Sequence, residues 1–177
     1  GGLNRINFNV DGYEVNPVII SPERKTQLNQ NLMLFFTGFS RFSSDIQQTT
    51  EKALVDKQKQ LLEMLSLVDD AEKVLTSKTD LNEFGRLLDY TWKLKRGISN
   101  RISTDSIDGL YAKGIEAGAL GGKLLGAGGG GFLLFYVEPD KQESVHKAME
   151  ELLYVPFEFE NSGTRVIHYT PETYEKR

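Results

Sequence analysis

The stretch Gly121–Val137, GGKLLGAGGGGFLLFYV, concentrates the chain's best equipment for holding an anion: a run of glycines and one lysine leading straight into apolar and aromatic residues. Eight of the 17 glycines fall between Gly118 and Gly131. A main chain without side chains lets a ligand, or another main chain, approach closely. Consecutive glycines at Gly128–Gly131 cost chain entropy on folding, which favours a ligand-facing loop over a turn that serves packing alone. On the residues by themselves both uses stay open.

Two nucleotide motifs fail here on context. Gly126, Gly128 and Gly131 satisfy G-x-G-x-x-G, but the dinucleotide fingerprint needs strand, glycines, then helix, whereas this order is helix, glycines, strand. A Walker loop ending at Gly122-Lys123 would need Gly where Ala117 stands and Ser or Thr where Leu124 stands.

Other candidate groups are few. Arg41, in FSRFSSDI after a strand-like run, has the planar fork that suits a phosphate dianion. Lys93, Lys95 and Arg96 cluster at a helix end, where the dipole stabilises cations without any ligand. Asp105 and Asp108 read as an N-cap and a first-turn acid rather than a metal pair. His146 and His168 have no partners at ligand spacing, so no metal site is expected, and Trp92 reads as a packing residue.

Composition narrows the classes. With 177 residues, 39% of them hydrophobic and 26% charged, the chain is long enough for one sizeable core. A net charge of -4 and acids interleaved with bases argue against a nucleic-acid partner. Zero cysteines exclude disulfides, thiolate zinc and cysteine nucleophiles. No apolar stretch approaches the roughly 20 residues of a membrane span, so neither membrane nor export is indicated and the cytoplasm is the expected location.

The positioning elements follow from periodicity. Alternating Ile6, Phe8, Val10 and Val15, Val18, Ile20 around Asp11-Gly12 predict a hairpin, with Pro17 confining the second arm to an edge. Ser21–Gln30 reads as a polar connection to a strand at Leu32–Phe36. Helices are predicted from Ser43 or Ser44 through Val68, from Asp80 to Gly97, and from Thr104 or Asp105 towards the glycines. A strand at Phe132–Val137 and a helix after Pro139 follow, then a terminal hairpin formed by Phe157–Phe159 and Thr164–Tyr169. The expected class is α+β: a four-stranded, mostly antiparallel, ferredoxin-like sheet with helices on one face, plus the N-terminal hairpin.

GALGGKLLGAGGGGFLLFYV resembles the third signature motif of the GHMP kinases, the galactose, homoserine, mevalonate and phosphomevalonate kinase superfamily. GGLNRI, LFFTGFSR and LNEFGRLLDYTWKLKRGIS fall in family order, and WKLKR points to the branch acting on heptose phosphates. The resemblance covers nearly the whole chain. It implies ATP- and magnesium-dependent phosphoryl transfer to a sugar or sugar-phosphate hydroxyl, a reaction that rests on positioning and charge neutralisation. Gly126, Ala127, Gly128, Gly129 and Gly130 would form the substrate and phosphate loop, with Arg41 and Lys123 as substrate contacts.

The family's Pro- and Gly-rich nucleotide loop and its catalytic aspartate have no counterpart in these residues, so no catalytic residue is assigned here. Residue 1, opening GGLNRINFNV without Met or polar lead-in, is expected not to be the natural start. Residues 1–31 are expected to belong to or border an absent N-terminal kinase domain, the chain's implied partner, and 32–177 to form the C-terminal domain. ATP and magnesium are expected in the parent kinase, with no tight binding by this chain alone. The alternatives are a ferredoxin-like module that binds a small anion or regulates without catalysis, and an interaction domain whose glycines are purely structural.

Overall fold

The structure, a computed structural model, describes residues 1–38, 57–98, 102–126 and 130–170. Contacts divide the chain into two compact units, one of Gly1–Ile19 with the residues from Glu158 onward, the other Ile20–Phe157.

In the first unit, β1 (Asn4–Asn9) and β2 (Gly12–Pro17) pair antiparallel with Asn9 opposite Gly12, the hairpin expected from the alternation. The turn is Val10-Asp11, one residue earlier than the expected Asp11-Gly12, because Gly12 pairs with Asn9 at the end of the ladder, and the Asp11 N–H donates to Asn9 Oδ1 at 2.9 Å. Phe8 and Tyr13 pair their rings 6.2 Å apart and stay largely exposed. The segment expected to form a terminal hairpin has no strand among its described residues, and Val166, Ile167 and Tyr169 are exposed. Alternation there has no covered face to reward it.

The second unit opens with α1 (Pro22–Gln30), where only a polar connection was expected. Ser21 caps it through Oγ, Pro22 starts it and Leu28 alone is buried, so its propensity and cap outweigh a nearly absent apolar stripe. Then come β3 (Leu32–Phe36), α2 (Gln58–Thr76), α3 (Asn82–Arg96), α4 (Asp105–Glu116), β4 (Gly121–Leu125), β5 (Phe132–Tyr136), a short 3-10 turn at Pro139–Lys141, α5 (Gln142–Ala148) and β6 (Leu153–Tyr154). Ser43 and Ser44, expected to start α2, lie outside the described residues.

The sheet runs β4-β5-β3-β6, and every pair in it is antiparallel. Its chain order, strand, helices, two strands, helix, strand, is the ferredoxin-like arrangement expected. Two of its strands come from places the periodicity did not mark: β4 from within the glycine stretch and β6 from before the expected terminal hairpin.

Register places Met33, Phe35, Leu133, Phe135, Gly122 and Leu124 on one face. There α4 brings Tyr111 onto Phe135 with ring centroids 5.7 Å apart, and α5 contributes Val145 and Met149. Helix α3 stands along the β4 edge. Gly85 of α3 lies under the Tyr136 ring on the opposite face, while Trp92 meets Tyr111 with centroids 6.1 Å apart.

Candidate active-site loop

The antiparallel register gathers three chain ends at one end of the sheet. Phe132 opens β5 opposite both Phe36, which closes β3, and Leu125, which closes β4. The glycine loop therefore springs from Gly126 beside the exit of β3 through Thr37 and Gly38. Gly126 has φ 101° and Gly131 φ 114°, the left-handed region that side chains resist, so glycine is required at both ends of the loop.

Thr37 anchors this loop. Its N–H and its Oγ1 each donate to the Gly131 carbonyl at 2.9 Å, and the Gly131 N–H donates back to Oγ1 at 3.2 Å. One threonine thus holds both main-chain polar groups of Gly131. Among the described residues a Cβ built on Gly126 meets nothing within 4 Å, which leaves room for a ligand to approach the main chain there.

Helix α4 points its N-terminus into the same neighbourhood. Of the two caps that the sequence allowed, Thr104 caps it by accepting from the Ile107 N–H at 3.3 Å, and Asp105, also read as an N-cap, is instead a first-turn acid like Asp108. A cavity of about 360 Å³ is lined by Thr37 together with Asp105, Ser106, Gly109 and Lys113 of α4. A second, polar cavity of about 520 Å³ between the end of α3 and the start of α4 is lined by Lys93, Arg96, Ser103, Asp105 and Asp108. Asp105 borders both.

The charged groups around α4 are mostly paired. Asp108 accepts from Arg96 and from the Ser103 hydroxyl, each at 2.6 Å, and Lys93 bonds Asp89 at 2.6 Å. Those contacts support the structural reading of Lys93, Arg96 and Asp108. Asp89 also accepts from the Tyr111 hydroxyl at 2.9 Å, and burial, then this bond, push the Tyr111 phenol up. Among the described residues no group of three or more His, Asp or Glu is placed to hold a metal. His146 packs against Tyr154, 5.4 Å between centroids, and His168 bonds Thr170.

Of the loop residues expected to face substrate, Gly126 and Gly130 are at the sheet end described above. Ala127, Gly128 and Gly129 lie outside the described residues, as does Arg41. Lys123 sits in β4, and its side chain lines a largely apolar cavity between α2 and α3; burial holds its ammonium below the usual lysine range. Thr37, Ser106 and Gly109 were not singled out by sequence. Only the run LFFTG, already marked as a strand exit, carried a signal for Thr37.

No helix among the described residues is long and apolar enough to cross a membrane. Residues 71–155 match the family "GHMP kinases C terminal". The chain is 33% identical over 170 residues to the D-glycero-alpha-D-manno-heptose 7-phosphate kinase of Campylobacter jejuni, an alignment covering 93% of this chain and 50% of that protein. The chain thus spans half the length of that relative. The solved D-glycero-D-manno-heptose 1-phosphate kinase of Bacteriodes thetaiotaomicron superposes with TM-score 0.60 and 28% identity, over 90% of this chain and 42% of the other. The mevalonate kinase of L. major superposes with TM-score 0.69 at 21% identity over 85% and 45%, which speaks for the fold. With its glycine stretch at the sheet end and its ferredoxin-like strand order, the chain carries a GHMP kinase C-terminal domain, matched over residues 71–155.

Proposed function

We propose that this chain supplies the wall that meets substrate and phosphate in a kinase transferring the γ-phosphoryl group of ATP to a hydroxyl of a sugar phosphate, specifically a heptose phosphate. The carrying observation is the glycine-rich loop whose two ends, Gly126 and Gly131, need glycine and whose exit is pinned by Thr37. Main-chain N–H groups and open space suit a phosphate, because phosphoryl transfer depends on orientation and charge neutralisation more than on covalent help from the protein.

ATP supplies the phosphoryl group and magnesium offsets its charge when both are bound. The space at Gly126 suits a phosphate; the described residues offer no acidic cluster for the metal, which this reading leaves to other residues. Gly126–Gly130 orient the phosphate, and Arg41 adds a bidentate cation. The cavity at Thr37, with Asp105, Ser106 and Lys113, offers donors and acceptors for sugar hydroxyls. Lys123 is left out of this set because its side chain lines the apolar cavity between α2 and α3. No residue here is assigned the proton of the attacking hydroxyl, so the 177-residue chain by itself is expected to be inactive.

The test expresses the complete reading frame that encodes this chain and follows ADP release with magnesium and ATP. Turnover is expected with D-glycero-alpha-D-manno-heptose 7-phosphate and not with mevalonate. Preference for mevalonate would overturn the substrate assignment, and turnover by the 177 residues above a no-protein control would overturn the division of labour.

A further inference from the structure

The cavity between α2 and α3 has a composition that the phosphoryl-transfer reading does not use. It encloses about 390 Å³, within the ~300–1,000 Å³ typical of small-molecule sites. Met64, Leu67 and Val68 of α2 face Phe84, Leu88 and Trp92 of α3 across it. Among the described residues its only charged lining groups are Lys95, from the last turn of α3, and Lys123, from β4.

These two lysines differ from their neighbours. Lys93 and Arg96, on the same helical turn, each hold a carboxylate at 2.6 Å. Among the described residues neither the Lys95 nor the Lys123 ammonium has a hydrogen bond or an ion pair. Burial, then the nearby Lys123 charge, hold Lys95 below its ordinary range, and burial alone does so for Lys123. Two half-buried ammonium groups that repel one another across an apolar chamber are destabilising unless a negative charge joins them. The α3 C-terminus offsets part of this cost for Lys95, since the last carbonyls favour a cation, but it does nothing for Lys123 on its strand.

We propose that this cavity is a binding site for a small amphipathic carboxylate, its head bridging Lys95 and Lys123 and its apolar body lying between α2 and α3. A sugar phosphate matches poorly, because the apolar walls leave its hydroxyls without partners. A neutral hydrocarbon would leave both ammonium groups uncompensated. The site stands apart from the kinase reading and does not depend on it.

Trp92 is the only tryptophan in the chain and lines the cavity, so its emission reports on the site directly. The 177-residue chain is titrated with sodium decanoate, with decanol and decyltrimethylammonium as neutral and cationic controls. Saturable change is expected with decanoate, and binding at least about tenfold weaker for both controls, a difference of about 1.4 kcal/mol. Lys95→Met is expected to weaken decanoate by about tenfold or more, Lys95→Arg to retain it and Lys93→Met to leave it unchanged. Equal binding of decanol, an equal loss in Lys95→Met and Lys93→Met, or no saturation in a chain with native circular dichroism would each overturn the proposal. Should Lys95→Met fail to fold, Lys123→Met and the three-ligand comparison on the unaltered chain still decide it.

Discussion

Gly121 and Gly126 belong to one glycine-rich stretch, yet a methyl group added to each meets opposite surroundings. At Gly121 it would sit 1.9 Å from the Gly85 carbonyl oxygen and 2.7 Å from the Asp89 nitrogen, both main-chain atoms of α3. At Gly126 nothing among the described residues lies within 4 Å, and what demands glycine is the φ of 101°. The first glycine lets an edge strand lie against a helix; the second lets the chain leave β4 in a conformation that side chains resist. The same division runs through α4, where a Cβ on Gly114 would meet the Phe135 ring at 2.5 Å and one on Gly109 would meet nothing. Glycine content therefore says little about function until each position is assigned to close packing or to backbone conformation.

Substitutions at three of these positions test that division. Gly121→Ala has the largest expected effect, because backbone on both sides cannot yield as a flexible side chain would. About 3 kcal/mol or more should be lost, towards the upper end for overpacking, as read by chemical denaturation. A loss below about 1 kcal/mol would mean that α3 and β4 are less closely apposed than described. Gly126→Ala should cost less stability, about 1–2 kcal/mol of backbone strain without a clash. Its larger consequence is expected in the complete kinase, where a fall in turnover at near-native stability would separate loop function from folding. Unaltered turnover would detach the loop from the reaction. Gly109→Ala should raise stability by up to about 1 kcal/mol, the ordinary gain for replacing glycine inside a helix. A loss there would show that Gly109 is packed after all.

Much of the scaffold was legible because local rules and tertiary demands agree. Asp11-Gly12 between alternating apolar residues announced the hairpin, Thr104 the start of α4, and the apolar runs at Leu32 and Phe132 the two central strands. Where these diverge, the reading failed. Helix α1 has almost no apolar stripe, and its signals were only Ser21, Pro22 and Glu23. Strand β4 begins with two glycines, which no strand propensity favours, and exists because a bare backbone fits between α3 and β5. Val166 and Ile167 alternate like a strand but have no buried face, while Leu153-Tyr154 takes the place beside β3.

The candidate site divides in the same way. The glycine loop was recognisable as a motif because its composition is local and its entropic cost conspicuous. Thr37 could not be identified, since its partner Gly131 is 94 residues away and only the β3–β5 register brings them together. Lys123 reads as part of the glycine motif in the chain, but the pleat of β4 turns its side chain to the cavity between α2 and α3. By itself the sequence determined the ferredoxin-like class and the glycine stretch from residue types and short spacings, and pointed to the family through the resemblance of its glycine motif. Only the tertiary structure decided which glycines pack and which open, what pins the loop, and where each lysine goes, because those depend on which distant main chain lies beside each residue.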